Sequence, residues 1–318
     1  MNASILRVTR RLGAAAVLVV LAGCGDAKRS ASSKASVAPE QFRTPEEASA
    51  ALVAAAEKFD VPRLKTILGS DGVALVESAD SVLDSLGATA FAAEARTRQR
   101  LELDSAKTVA VLSVGETDWP LPMPIVQRDG KWSFDVAAGR EEILHRRIGR
   151  NELDAIQVCR GYVEAQHDYA LVRHDGSRVN QYAQHVISTP GKHDGLAWQG
   201  ADGSWQGPVG EAIARFIAEG YKDRYDPFHG YYFKILKGQG PAAPMGQMDF
   251  MVEGAMIGGF AMVAAPAEYR VTGVQTFIVS HDGIVYEKDL GPQTFEEFQR
   301  MERYNPDSTW TPVVVPAT

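Results

Sequence analysis

Cysteine is scarce in this chain. Among 318 residues only two cysteines occur, Cys24 and Cys159. Because Cys24 has a separate predicted role, described below, Cys159 has no partner, and the fold cannot depend on an internal disulfide. Cys159 lies in a helical pattern between Ile156 and Tyr162, where either a small buried apolar residue or a reactive thiol would fit.

A surplus of positive charge is also lacking. The formal net charge is −7, and it falls to −10 once Arg7, Arg10 and Arg11 leave with the export signal described below. An acidic protein is repelled by phosphate backbones, and no basic stripe with interleaved aromatics reverses that effect. We therefore expect no nucleic-acid partner. The composition is that of a globular protein, and the length suits two domains.

Long apolar runs are missing as well. Leu12–Ala22 is an apolar run of 11 residues, whereas a membrane-spanning helix needs about 20. Three arginines precede this run, so residues 1–23 have the organisation of an export signal. The run ends in Leu21-Ala22-Gly23-Cys24, which resembles the lipobox of bacterial lipoproteins. The alternative is an ordinary secretory signal with a chance cysteine.

The lipobox resemblance carries implications for Cys24 and for location. It implies that the Cys24 thiol receives a diacylglycerol, that the preceding bond is cut, and that the new amino terminus is acylated, with palmitate as a typical chain. The protein would then be a lipid-anchored component of the cell envelope that faces the periplasm. In enteric lipoproteins an aspartate directly after the cysteine retains the protein in the inner membrane. Gly25 stands there instead, which favours the outer membrane.

Residues 24–41 are predicted to be a flexible tether. The segment from Gly25 to Pro39 is rich in serine, alanine and lysine and has no apolar periodicity. It would hold the folded body off the membrane.

Residues 42–150 are predicted to form an α+β domain with helices first and a small antiparallel sheet after them. Thr44-Pro45-Glu46-Glu47 is a capping box that starts a helix, and further helices are expected over 61–68 and 80–98. Valine-rich segments at 108–114, 123–126 and 131–136, with a turn at Asp129-Gly130, predict antiparallel strands. The arrangement resembles nuclear transport factor 2-like and cystatin-like folds.

Residues 151–318 are predicted to form a second domain, a helix packed on an antiparallel sheet. The helical pattern runs from about Arg140 to Val172, with breaks expected near Gly149 and Asn151. This half resembles the head of type IV pilin-like proteins, although the long apolar helix that pilins need for polymerisation is absent. A largely irregular run is expected over 174–207, with a short helix at 181–187, then a helix at 211–221 and strands at 231–236, 249–252, 260–264, 274–279 and 284–287.

The C-terminal half contains a set of short motifs: Gly230-Tyr231-Tyr232, Gln239-Gly240-Pro241, Gly258-Gly259-Phe260, Ala265-Pro266-Ala267, Thr276-Phe277 and Asp289-Leu290-Gly291. Through these motifs, residues 42–312 as a whole resemble a bacterial envelope family known as domain of unknown function 2950. The resemblance implies no reaction.

The seven histidines do not form a metal-binding motif. His167 and His174 would lie roughly 10.5 Å apart along a helix, too far to share one ion. His174, His193 and His281 each begin a His-Asp-Gly tripeptide, which is typical of turns. A metal site formed by the long loop folding over remains the alternative. No nucleophile elbow or phosphate loop occurs, so we predict no catalytic residue, metal or cofactor.

Two functional hypotheses remain. We favour a non-catalytic binding or assembly module that contacts an envelope protein or a cell-wall component. The alternative is an envelope hydrolase with a His/Asp site between the domains, formed from residues 167–194. At least two of His167, His174, His185, His193 and His229 should then meet a carboxylate in a pocket. A binding module predicts dispersed histidines and an exposed apolar or aromatic patch. The candidate ligand-binding residues are Trp198, Trp205, His229, Tyr231 and Tyr232.

Overall fold

The computed structural model describes residues 37–73, 81–209 and 227–314. Both halves contain helices and antiparallel sheets, which confirms the predicted α+β class. The export signal, Cys24, most of the tether and the helix predicted at 211–221 lie outside the described residues. Within the described ranges, no helix is both long and apolar enough to cross a membrane.

Three helices open the N-terminal half. The side chain of Thr44 accepts a hydrogen bond from the backbone of Glu47 (3.2 Å), so the predicted cap starts the first helix. The second helix is interrupted at Gly69, whose φ of 71° lies in the left-handed region. A Cβ at Gly69 would stand 2.5 Å from the carbonyl oxygen of Val37, so this position requires glycine. The helices are α1 (Pro45–Glu57), α2 (Val61–Val73) and α3 (Ser81–Thr97).

A five-stranded antiparallel sheet packs against these helices. Ala110 and Leu112 on β2 are fully buried, and α3 packs on this strand. Strand β1 was not predicted, because only Leu101 of its five residues is even partly buried and the apolar pattern is therefore weak. The strands are β1 (Gln99–Leu103), β2 (Val109–Val114), β3 (Trp119–Pro120), β4 (Ile125–Arg128) and β5 (Lys131–Phe134), in the order β1-β2-β4-β5 with β3 paired to β2.

Helix α4 (Val136–Tyr169) runs without a break for 34 residues. The breaks expected near Gly149 and Asn151 are wrong. The side chain of Asn151 does not compete for the hydrogen bonds of its own helix. Its nitrogen instead donates to the backbone carbonyl of Thr272 in the C-terminal half (2.9 Å). The helix crosses the predicted boundary at residue 150, while the apolar clusters on either side share no residue. The division into two domains stays a prediction.

The C-terminal half is built around a second five-stranded antiparallel sheet. Tyr231 faces α4, and its neighbour Tyr232 packs on Phe295 with 5.3 Å between the ring centroids. Phe295 lies on the last helix, α5 (Thr294–Arg300). Because adjacent residues of a strand point to opposite faces, α4 and α5 cover opposite faces of this sheet. The predicted helix packed on an antiparallel sheet is therefore confirmed. The elements are β6 (His185–Ile187), β7 (Gly195–Gln199), β8 (Trp205–Gln206), β9 (Tyr231–Leu236), β10 (Gly238–Gln239), β11 (Met248–Asp249), β12 (Met251–Val252), β13 (Ala255–Met256), β14 (Ala261–Pro266), β15 (Gln275–Ser280), β16 (Val285–Asp289), a 3-10 turn (Gly291–Gln293), α5 (Thr294–Arg300) and β17 (Thr311–Pro312), with sheet order β17-β16-β15-β14-β9.

Candidate functional site

A buried glutamine fixes the start of the long loop that follows α4. Gln166 is fully buried, and its side-chain oxygen accepts from the backbone N–H of Ala183 (2.8 Å). Its side-chain nitrogen donates to the carbonyl of the same residue (2.9 Å) and to the hydroxyl of Tyr162 (3.0 Å). Both backbone groups of Ala183 are thereby satisfied in the interior. The loop is held at one point 17 residues along the chain from Gln166.

The segment between α4 and β8 contains more order than its sequence suggests. Strand β6 pairs in parallel with β7, which pairs in turn with β8. The short helix expected over 181–187 is therefore wrong. The apolar run there is too short for its period to separate helix from strand, and anchoring of Ala183 by Gln166 favours the extended conformation.

Four aromatic rings meet where this loop returns to the end of α4. His174 stacks on Tyr169 with 3.9 Å between centroids. Trp198 then meets His174 at 5.7 Å and His193 at 4.8 Å, in both cases edge to face. We call Tyr169, His174, His193 and Trp198 the aromatic cluster. Its members come from α4, the loop and β7, so only folding brings them together.

Hydrogen bonds lock the aromatic cluster. Asp175 accepts from the backbone N–H of His193 (2.7 Å) and from its ring Nδ1 (2.9 Å). The backbone bond, with help from the ring, holds the pKa of the Asp175 carboxyl below its usual value. The hydroxyl of Tyr169 donates to the carbonyl of His193, and burial raises the pKa of Tyr169 to about 12. The ring Nε2 of His174 donates to the carbonyl of Tyr169 (3.0 Å).

Two of the three His-Asp-Gly tripeptides are turns, as predicted. Gly176 and Gly283 have positive φ angles, 69° and 75°. The third is different, because Gly195 begins strand β7. In it the carboxylate of Asp194 accepts from the backbone and the hydroxyl of Thr189 (2.8 and 2.9 Å) and closes a local loop.

The five predicted ligand-binding residues do not share one surface. Trp198 pairs with Gln206 across the β7–β8 hairpin, whereas Trp205 pairs with Gln199, so the two indoles point to opposite faces. Tyr231 is fully buried, and its hydroxyl donates to the carbonyl of Gln275 (2.9 Å).

The remaining predicted residues lie away from the aromatic cluster. Tyr232 packs on the α5 face of the C-terminal sheet. His229 is exposed, and its ring Nδ1 donates to Asp154 (2.6 Å) on α4. Of the five residues, Trp198 alone belongs to the aromatic cluster. Tyr169 was missed, because a tyrosine at a helix end gives no sequence signal beyond core packing.

The histidines separate into one pair and several isolated residues. His174 and His193 meet around Trp198 with Asp175 beside them. These are the residue types that the hydrolase hypothesis names, but they line neither of the two surface grooves described below. His167 instead lies 5.4 Å from the ring of Phe260, and His185 lies exposed on β6. Within the described ranges, no three histidine, cysteine or acidic residues are grouped so that they could hold a metal ion.

Two surface grooves lie away from the aromatic cluster. One, of about 370 Å³, lies on the outer face of β1 and β2 and includes Arg100, Val111 and Asp118. The other, of about 290 Å³, lies between Lys237, Asp249 and Arg303. Neither contains a residue that the sequence singled out for binding.

A comparison with known families gives the chain its family. The model of a family described as "Protein of unknown function (DUF2950)" matches residues 39–313. The chain belongs to the DUF2950 family. The match extends from before α1 to the last described strand, so the DUF2950 region includes both sheets and the aromatic cluster, and the resemblance drawn from sequence is confirmed. No curated protein and no solved structure matches this DUF2950 chain. The lipobox, pilin-head, nuclear transport factor 2-like and cystatin-like resemblances stay predictions.

Proposed function

We propose that this DUF2950 protein is a lipid-anchored lipoprotein of the bacterial envelope whose C-terminal half is a non-catalytic binding module. The anchor is the acylated Cys24, and the preference for the outer membrane follows from Gly25. The module faces the periplasm and binds an envelope protein or a cell-wall component. The support for the anchor comes from residues 1–24 of the sequence.

The aromatic cluster is the observation that carries the binding role. Trp198 is half-buried, and two histidine rings hold its indole edge to face. Its ring nitrogen donates to the side chain of Gln206 (3.3 Å), which fixes the indole further. A rigid aromatic face costs little conformational entropy when a ligand covers it.

The surroundings of Trp198 favour a glycan-containing ligand of the cell wall. Flat indole faces stack on the apolar faces of sugar rings and on peptides alike. The exposed amide of Gln206 lies beside Trp198 on the same face of the hairpin, and its nitrogen can donate a hydrogen bond to a hydroxyl group. A long ordered loop on a rigid scaffold is also where binding residues concentrate.

Site-specific cross-linking in intact cells tests this role. A photo-reactive phenylalanine analogue at position 206, on the same face as Trp198, should give discrete adducts with an envelope protein or with glycan strands. The same analogue at the exposed position Gln99 on β1 should not. Trp198→Ala should abolish the adducts. Adducts that persist in Trp198→Ala, or equal adducts from position 99, would contradict the binding role. Radiolabelled palmitate should label the wild type and not Cys24→Ser.

A specific observation favours the hydrolase as a second candidate. A carboxylate that binds Nδ1 of a histidine orients the ring and leaves Nε2 to act as a base, as in hydrolytic triads. Asp175 and His193 have this relationship. In this candidate Nε2 of His193 would take a proton from a water molecule, and the water oxygen would attack a bond of the cell wall.

Hydrolysis of isolated peptidoglycan separates the two candidates. The hydrolase predicts release of soluble fragments that His193→Ala abolishes and Trp198→Phe only reduces. The binding module predicts pull-down of intact peptidoglycan with no fragment release, lost in Trp198→Ala.

A further inference from the structure

The turn that follows α4 exposes an unusual group of apolar side chains. Leu171, Val172 and Val179 are 74%, 56% and 45% exposed. No other stretch of nine described residues contains three large apolar side chains exposed to this degree. Isolated exposed apolar residues are ordinary, whereas a group of them marks an interaction site. We call residues 171–180 the apolar loop.

Internal hydrogen bonds hold the apolar loop in one conformation. The side chain of Asn180 donates to the carbonyl of Leu171 (3.2 Å), which returns the chain to the end of α4. The hydroxyl of Ser177 donates to the carbonyl of Val179 (2.8 Å). Asp175 and His174 face the aromatic cluster, so the polar and aromatic side chains hold the loop while the aliphatic ones face solvent. This is the reverse of the usual arrangement.

Two arginines flank the exposed aliphatic residues. Arg173 and Arg178 are exposed, and within the described part of the chain neither has an ion pair or hydrogen bond through its side chain. The carboxylate of Asp175, which lies between them in sequence, is occupied by His193. The apolar loop is therefore locally basic on a chain whose net charge is −7.

We propose that the apolar loop is a membrane-contact site for anionic phospholipid. The aliphatic side chains enter the boundary between headgroups and acyl chains, and the arginines bind lipid phosphates. A short protruding loop with aliphatic tips and basic flanks fits a lipid surface, because a bilayer needs no matching cavity.

The proposal goes beyond the lipid anchor, because residues other than Cys24 carry it. Helix α4 begins against α2 in the N-terminal half and ends at the apolar loop, a rise of roughly 50 Å at 1.5 Å per residue. Lipid at the N-terminus and the apolar loop at the far end would attach the protein at two separated points. Two attachments raise the effective affinity of each.

Vesicle co-sedimentation tests the loop without the anchor. The processed chain, residues 24–318 with Cys24→Ser, should bind vesicles of equal parts phosphatidylethanolamine and phosphatidylglycerol more tightly than phosphatidylcholine vesicles. Combined Leu171→Ser, Val172→Ser and Val179→Ser should weaken binding at least about tenfold, given the contribution of each buried methylene group. Combined Arg173→Gln and Arg178→Gln should weaken binding to anionic vesicles several-fold and reduce its salt dependence.

Matched variants elsewhere control for general loss of apolar surface or charge. Leu86→Ser replaces a leucine that is 60% exposed on α3, and combined Arg147→Gln and Arg150→Gln remove two exposed charges from α4. Both should bind as the parent does. Absence of binding, equal binding to phosphatidylcholine, or equal losses in the controls would overturn the proposal. A parent protein that is dimeric in solution, with a triple serine variant that is monomeric, would also overturn it. Each of these outcomes leaves acylation of Cys24 unaffected, because the tested chain carries no lipid.

Discussion

Asp175 binds His193 twice, once at the backbone and once at the ring, across 18 residues of sequence. This double contact joins the turn after α4 to the strand that carries Trp198. It also makes the position of the aromatic cluster depend on one carboxylate.

Asp175→Ala should destabilise the folded protein by about 1 kcal/mol, the usual contribution of hydrogen bonds at a partly exposed carboxylate. Urea unfolding at neutral pH measures the change. Asp168→Ala, which removes an exposed carboxylate from the last turn of α4, is the control and should have little effect. Equal losses in the two variants would show that Asp175 does not fix the loop.

The contribution of Asp175 should also depend on pH. Its folded pKa lies below the unfolded value, because the His193 backbone bond favours the ionised form. The stabilisation is therefore complete above the unfolded pKa of about 3.9 and is lost as pH falls through the lower folded pKa. The stability difference between wild type and Asp175→Ala should be constant from neutral pH to about pH 5 and shrink in stronger acid. A difference that stays constant in strong acid would contradict this assignment.

Gln166→Leu should be the more severe change. It leaves the buried N–H and carbonyl of Ala183 without partners, at a combined cost of about 2–4 kcal/mol. Gln157→Leu makes the same substitution at an exposed position of α4 and should change stability by less than about 0.5 kcal/mol. The free energies of unfolding of the two variants test the claim. Similar values would mean that Gln166 does not anchor the loop.

Glu287→Gln should stabilise the protein at neutral pH. Burial, and then the nearby Glu152, raise the pKa of the Glu287 carboxyl in the folded state. The ionised side chain therefore weakens the fold above the folded pKa. The penalty is absent below the unfolded pKa of about 4.3, where the carboxyl is protonated in both states.

Thermal unfolding of Glu287→Gln at several pH values tests this sign. The melting temperature should exceed that of wild type at pH about 7 and equal it near pH 4. Glu164→Gln, at an exposed position on α4, should show no such pH-dependent gain. A gain that persists in acid would indicate a cause other than ionisation.

Cys159 should be inert in the folded protein. It is fully buried, and burial raises the pKa of its thiol to about 12, so almost no thiolate forms at neutral pH. A maleimide should label the native processed protein slowly and should label one thiol per chain after unfolding. Rapid native labelling would support the reactive-thiol interpretation. Two labelled thiols after unfolding would show that Cys24 carries no lipid.

Features that depend on a few neighbouring residues were predictable from sequence. The cap formed by Thr44 started α1 at the expected residue, and the Asp282-Gly283 turn joined β15 to β16 as expected. The mixed α+β class followed from such local signals. Strand β6 and the unbroken course of α4 were not predictable, because β6 depends on pairing with β7 and α4 on the contact between Asn151 and Thr272.

The candidate site was also predictable from the sequence only in part. The sequence identified Trp198 as an aromatic residue in a long loop, and it grouped Trp198 with Trp205 because they are close along the chain. The register of the β7–β8 hairpin separates these two side chains, since neighbouring strand positions alternate between faces.

The sequence by itself determined the fold class, the helix start at Thr44, the main strands of the C-terminal sheet and the family. Each of these rests on residue type, spacing or local hydrogen bonds. Only the tertiary structure decided which aromatic residues share a surface and which way the apolar loop faces. Those relationships join residues that lie 5 to 24 positions apart along the chain, and packing, not local preference, sets such contacts.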